Sequence, residues 1–380
     1  VGFTRTAGAS NSVIRVLLGT ASGTSITWND TIGNTNFTGA SNANHYHSCY
    51  NPTAQRHALV YLNNAQSGAI SMGELSLTSS SAVTYNQSDY VWSSTGYSLP
   101  YICYDSTNNC YLVAATKQNN SWYGSVRVVN SGQLQSPPGQ QWDKGTGYKP
   151  YGMAHDPNAG QTCVLWVSTG NGHIYLQSTT SVNTSSGYIG TGTQVQLNSG
   201  NPDGGTFKGA TMTYDSNAKK FVITYCYATG TWVITAKVSS AGVITKDPIM
   251  TLNAGSVYSG DDYSSLMVNL FDPNTNKVAT VYRDEPNNIG SGTYAGFAKV
   301  ATPGYSNLIA DKYIGFAAES VTNGQTVKVK TKSNTITQAG LTTTTRYYVQ
   351  DSDGSLGTSP APGQSIDVGI ALNSNTLLLQ

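Results

Sequence analysis

The chain has 380 residues, 20 Lys and Arg against 19 Asp and Glu, and a charged fraction of only 10%, well below the roughly 25% of ordinary soluble domains. A net charge of +1 without a basic cluster excludes the electrostatic footprint of a nucleic-acid binder. No stretch reaches the ~18 consecutive apolar residues of a membrane-spanning helix.

Residues 1 to 12 are polar and irregular, and Val13 to Leu18 and Ser25 to Trp28 then read as two short strands. From there one phrase organises the chain: an aromatic, Asp or Asn, Pro or Ser, a polar turn, and a β-rich apolar run. Its copies are Tyr50-Asn51-Pro52, Tyr104-Asp105-Ser106, His155-Asp156-Pro157, Tyr214-Asp215-Ser216 and Phe271-Asp272-Pro273, spaced by 54, 51, 59 and 57 residues. A period of this length with no helical pattern between copies marks repeated β-units.

Each unit divides into short β-branched and aromatic strands joined by turn chemistry. In the fourth these are Ala210 to Tyr214, Phe221 to Tyr227, Trp232 to Val238 and Ile244 to Leu252, joined by Asp, Asn, Ser and Gly clusters. Four-stranded units of this size are propeller blades. The sequence therefore predicts an all-β fold with a β-propeller over residues 1–304, five blades favoured and six the alternative. The fifth unit lacks a fourth strand, and Ser25 to Trp28 is predicted to supply it and close the ring, which would protect both edges. After Pro303-Gly304 the texture changes, and residues 305–380 form a separate small β module in which the final Leu377-Leu378-Leu379 is expected to be buried.

The repeated acids Asp105, Asp156, Asp215 and Asp272, with Asn51 in the first copy, are predicted to be structural turn caps, since each opens a hairpin. Copies of one role argue against a single asymmetric active site. Asp261-Asp262 and Asp284-Glu285 are adjacent strand residues pointing to opposite faces, so neither pair makes a glycosidase dyad. His45 and His47 share a strand face without a supporting carboxylate, and the five cysteines show no metal spacing. No metal, cofactor or catalytic residue is therefore predicted, and the thiols read as buried and free. Trp122, Trp232 and Tyr294 stand near third strands beside polar loops, where flat rings could stack on sugars. They are the predicted glycan- or receptor-binding positions, with packing between blades as the alternative reading.

The blade phrase, together with the hairpin Gly19-Thr20-Ala21-Ser22-Gly23-Thr24-Ser25-Ile26-Thr27, resembles propeller repeats of virion proteins from tailed phages, including phages of marine bacteria. The tail resembles a module at the C-terminus of such proteins. Its landmarks are Ile314-Gly315-Phe316-Ala317, Gly340-Leu341-Thr342, Tyr347-Tyr348-Val349-Gln350-Asp351 and Gly369-Ile370-Ala371-Leu372. The resemblance implies a non-enzymatic structural virion component: a tail fibre, spike tip or surface decoration contributing to host-surface recognition. Its implied partners are other virion proteins, copies of itself (a trimer if a fibre) and a host-surface glycan. A lectin-like propeller and a glycan-cleaving propeller enzyme are the alternatives.

Overall fold

The computed structural model describes residues 2–6, 13–22, 25–29, 43–63, 69–79, 82–92, 96–117, 123–130, 141–198, 207–253, 267–273, 277–288, 294–301, 316–317, 328–331, 333–349, 356–358 and 366–380. Every regular element among them is a β-strand, and the fold is an all-β propeller architecture with a small C-terminal β unit. Chain contacts divide it into Val1–Ala301 and Thr302–Gln380.

The first unit opens with β1 (Gly2–Thr6), β2 (Val13–Ser22) and β3 (Ser25–Asn29), an antiparallel three-stranded sheet. Five further sheets follow in sequence. The first blade is β4 (Ala43–Asn51), β5 (Arg56–Asn63), β6 (Ala69–Ser79) and β7 (Ala82–Trp92), and the second is β8 (Tyr97–Asp105), β9 (Cys110–Lys117), β10 (Tyr123–Asn130) and β11 (Trp142–Thr146). The third is β12 (Tyr148–Asp156), β13 (Gln161–Ser168), β14 (Ile174–Val182), β15 (Ile189–Thr191) and β16 (Val195–Gln196). The fourth is β17 (Phe207–Asp215), β18 (Lys220–Tyr227), β19 (Gly230–Val238), β20 (Ile244–Lys246) and β21 (Met250–Asn253), and the fifth is β22 (Met267–Asp272), β23 (Lys277–Asn288) and β24 (Tyr294–Ala301). The leading strand of each blade packs on that of the next, β4 on β8, β8 on β12, β12 on β17 and β17 on β22.

Ser25–Asn29, the segment expected to close the ring, pairs with β2 in a hairpin, Leu18 opposite Asn29 and Ser22 opposite Ser25, and among the described residues β24 pairs with β23 alone. The single fourth strand expected in the fourth blade is corrected to two short ones, for β20 and β21 each pair with β19. Between them lies Asp247-Pro248, and a proline cannot donate to a sheet ladder.

Strands β9 and β18 are buried along nearly their whole length, as expected where both faces of a sheet are covered by neighbouring blades. The core consequently lies in seams. Val60, Ile70, Trp92, Ile102, Tyr111 and Val113 fill the seam between the first and second blades. Leu112, Val126, Met153, Val164 and Trp166 fill the next, and Leu165, Leu176, Phe221, Ile223 and Tyr225 the one after.

In the C-terminal unit β25 (Phe316–Ala317) pairs with β26 (Val329–Lys330). A five-stranded sheet follows, made of β27 (Thr335–Thr337), β28 (Arg346–Val349), β29 (Leu356–Gly357), β30 (Ile366–Asn373) and β31 (Thr376–Leu379) in the order β27-β31-β30-β28-β29. Strand alternation buries Leu377 and Leu379 with Tyr347, Val368 and Ala371, while Leu378 is half-buried.

Candidate functional site

The repeated phrase forms the same turn at each described copy. Asp105 Oδ1 accepts the amide N–H groups of Thr107 and Asn108, both at 3.0 Å. Asp156 Oδ1 accepts those of Asn158 and Ala159 at 2.9 and 3.2 Å, and Asp215 Oδ1 those of Asn217 and Ala218 at 2.9 Å. Asn51 Oδ1 accepts the Ala54 N–H at 3.0 Å. The fourth residue after each cap, Gln55, Asn109, Gly160 or Lys219, has φ of 52°, 50°, 67° or 54°, the left-handed step that returns the chain to the next strand. At Asp272 the strand ends opposite Lys277, and the rest of that turn lies outside the described residues.

The residue before the cap joins the second, third and fourth blades to the blade that precedes each. Tyr104 Oη donates to Thr53 Oγ1 of the preceding turn at 3.0 Å, and Tyr214 Oη donates to Asp156 Oδ1 at 2.6 Å while accepting from Asn158 at 3.0 Å. His155 does the same with an imidazole, Nε2 lying 3.2 Å from Thr107 Oγ1 and Nδ1 3.0 Å from Thr162 Oγ1 and 3.6 Å from Asp105 Oδ1. Burial pulls the His155 pKa down, with Asp105 and Asp156 opposing it. These caps are thus consumed by structure, the carboxylates of Asp105, Asp156 and Asp215 being occupied by backbone N–H groups.

Asn51 departs from the aspartate pattern for a visible reason. Its Nδ2 donates to Tyr111 Oη at 3.3 Å, that hydroxyl donates to Glu74 Oε1 at 2.7 Å, and Arg56 holds Glu74 Oε2 at 2.7 Å. An amide supplies the donor that a carboxylate lacks.

The predicted ring positions fare differently. Trp232 is only 7% exposed and is covered by Tyr225, stacked at 5.9 Å, and Tyr227, edge-on at 6.0 Å, so it packs in the core and offers no ring face to a sugar. Trp122 lies outside the described residues, as does the side chain of Tyr294. His47 accepts the Ile102 N–H through Nδ1 at 3.4 Å, with burial lowering its pKa to about 4, and no metal-holding cluster occurs among the described residues.

A different cluster gathers on the seam between the second and third blades, at the end of β12 remote from its Asp turn. Near that end, leading strands carry a register irregularity, at Ser98/Tyr101 in β8, Pro150/Gly152 in β12 and Phe207/Gly209 in β17. Bulges of this kind re-aim side chains. At Gly152 a Cβ would come within 3.1 Å of Met212, so the glycine lets β17 pack closely.

Beyond the bulge, Tyr148 meets Tyr175 edge-on at 5.8 Å. Lys144 of β11 places Nζ 5.1 Å from the centre of the Tyr148 ring and donates to Gln177 Oε1 at 2.6 Å and to Gln194 Oε1. His173 Nδ1 lies 3.3 Å from Gln196 Nε2 and 3.5 Å from Tyr175 Oη. Trp142 packs edge-on against Trp166 beneath, and the buried Trp166 indole N–H has no hydrogen-bond partner among the described residues. Partial burial without a carboxylate partner lowers the Lys144 pKa to about 8. The sequence concealed this cluster because its members come from β11, β12, β14 and the segment before β16. The Gly-Tyr steps Gly96-Tyr97 and Gly147-Tyr148, just ahead of the bulges of β8 and β12, were the available signal.

Fold and seam together define a propeller with an aromatic and amide-rich blade junction. No family model and no curated protein matches the chain. Solved structures similar to it include a protein from Lactobacillus plantarum, at 12% identity over 78% of this chain and 80% of that one, with a TM-score of 0.42. Others are a periplasmic gluconolactonase of Pseudomonas aeruginosa (12% identity, 78% and 97% coverage, TM-score 0.37) and a putative 6-phosphogluconolactonase from Bacteroides uniformis (12% identity, 86% of each chain, TM-score 0.43). The expectation of a non-enzymatic structural virion protein is corrected by this comparison, for two of the three structures are described as lactonases, an enzymatic class, and none as a virion component. At these identities and TM-scores the likeness transfers neither substrate nor residue.

Proposed function

We propose that the propeller binds a saccharide at the seam between its second and third blades. The observation that carries this reading is the convergence of half-buried Tyr148 and Tyr175 rings with the Lys144 ammonium and the Gln177 and Gln194 amides. Rings offer an apolar face to a pyranose, and a few convergent polar groups fix its hydroxyls. Two of the three ammonium donors are spent on glutamine carbonyls, which hold the group in place, and the third has no partner among the described residues. Isothermal titration with a panel of oligosaccharides tests this. Saturable binding weakened about tenfold by Tyr148→Ala and by Tyr175→Ala is expected, and binding that both variants leave unchanged contradicts it.

A second reading is favoured by one observation. With its pKa near 8, Lys144 is partly neutral under mildly basic conditions and suits general-base activation of water. A sugar lactone or ester held on the same rings would then be hydrolysed. Proton release from gluconolactone above the uncatalysed rate, abolished by Lys144→Gln, is its requirement, and equal rates with and without protein remove it.

A further inference from the structure

The preceding seam, between the first and second blades, repeats the same chemistry. Tyr97, Lys117 and Tyr123 lie in one row across β8, β9 and β10. Lys117 Nζ sits 5.8 Å from the centre of the Tyr97 ring and 5.7 Å from that of Tyr123. Tyr97 is buried and stacked on Trp92 at 5.0 Å, while Tyr123 is half-buried and keeps an accessible flank.

Further out on the same face, Arg127 stands 5.2 Å over the Trp92 ring and hydrogen-bonds Gln141 Oε1 at 3.2 Å and the Val91 carbonyl at 2.6 Å. Asp143 lies on this face, and its Oδ1 is taken by Ser125 at 2.6 Å and Gln141 at 2.8 Å. Lys117 and Arg127 thus stand beside one carboxylate whose Oδ1 is already occupied by neutral donors. The next seam carries the Lys144 ammonium. Among the described residues no carboxylate lies within ion-pairing distance of Lys117 or Lys144, since the ion pairs there involve Arg56, His155, Lys220 and Arg346.

We infer that these two seams are successive subsites of one surface, and that their ligand is an anionic oligosaccharide whose carboxylate or sulfate groups meet Lys117 and Lys144 in turn. The inference rests on the saccharide reading above and adds to it a charge and a second point of contact. Two tyrosine-flanked ammonium groups on consecutive blades would each pair with an anionic group while the neighbouring ring receives the apolar face of the sugar. Such partly exposed pairs are screened by salt, so affinity falls as ionic strength rises.

The test is calorimetric titration of the whole chain with hexagalacturonate, a sulfated chondroitin hexasaccharide and neutral cellohexaose, using wild type, Lys117→Gln, Lys144→Gln and Tyr123→Ala. Near-UV circular dichroism of each variant confirms that its packing is retained. The expected result is binding of at least one anionic hexasaccharide about tenfold tighter than cellohexaose, with a loss of similar size in each lysine variant and a weaker response at high salt. Equal binding of neutral and anionic ligands, unmoved by the lysine changes, overturns the charge assignment and leaves the saccharide reading standing. Loss confined to Lys144→Gln, with Lys117→Gln and Tyr123→Ala unchanged, overturns the second subsite. Failure of all three ligands to bind overturns both.

Discussion

At residue 51 the first blade has an amide where the other copies have a carboxylate, and the network around it gives the reason. Asn51 both caps its turn and donates to Tyr111, whose hydroxyl serves the buried Glu74. Restoring the majority residue should therefore harm this blade, because Asn51→Asp removes a buried donor and adds a second acid near Glu74. A loss of about 1–3 kcal/mol in denaturant unfolding is expected, and an unchanged midpoint speaks against the network. His155 gives a second residue-level prediction. Burial sets its folded pKa below the 6.5 of an exposed imidazole, so protonation favours the unfolded chain. Its contribution is whole above pH 6.5 and is lost as pH falls below that value. His155→Tyr, which installs the residue used at positions 104 and 214, should flatten the acid side of the stability profile. A profile of unchanged slope refutes that role.

At the scale of elements, the strand-turn-strand phrase was legible in the sequence because its signals are local. An aspartate two and three residues ahead of the amides it caps, and a left-handed residue four places on, depend only on short-range geometry. The interruption of the fourth strand at Pro248 is also written locally, in a residue that cannot donate to the ladder. What could not be read was which face of a strand each ring would meet. Trp232 sits beside a polar loop in the sequence, yet its alternation places it against Tyr225 and Tyr227. Tyr148 and Tyr175 look like ordinary strand residues, and only the register of β12, β13 and β14 brings them together. The two classes separate experimentally. Trp232→Ala should cost about 3–5 kcal/mol in thermal or denaturant unfolding while leaving saccharide affinity unchanged. A variant that folds normally but loses binding would return Trp232 to the ligand surface.

For the whole molecule, the seams between blades hold both the core and the candidate ligand surface. One end of the leading strands is tied by caps and by Tyr104, His155 and Tyr214, so the opposite, bulged end can vary its side chains without loosening the array. That division of labour follows from radial repetition, since every blade needs the same joint at one end and none is required at the other. The saccharide assignment is tested most directly by amide hydrogen exchange on the whole chain with and without a saturating amount of whichever hexasaccharide titrates most tightly. Protection is predicted over residues 142–149 and 173–177, with 115–117 and 123–125 joining if the second subsite is occupied, and no change in the capped turns at 105–109, 156–160 and 215–219. Protection concentrated on those turns, or none at the seam, would contradict the account.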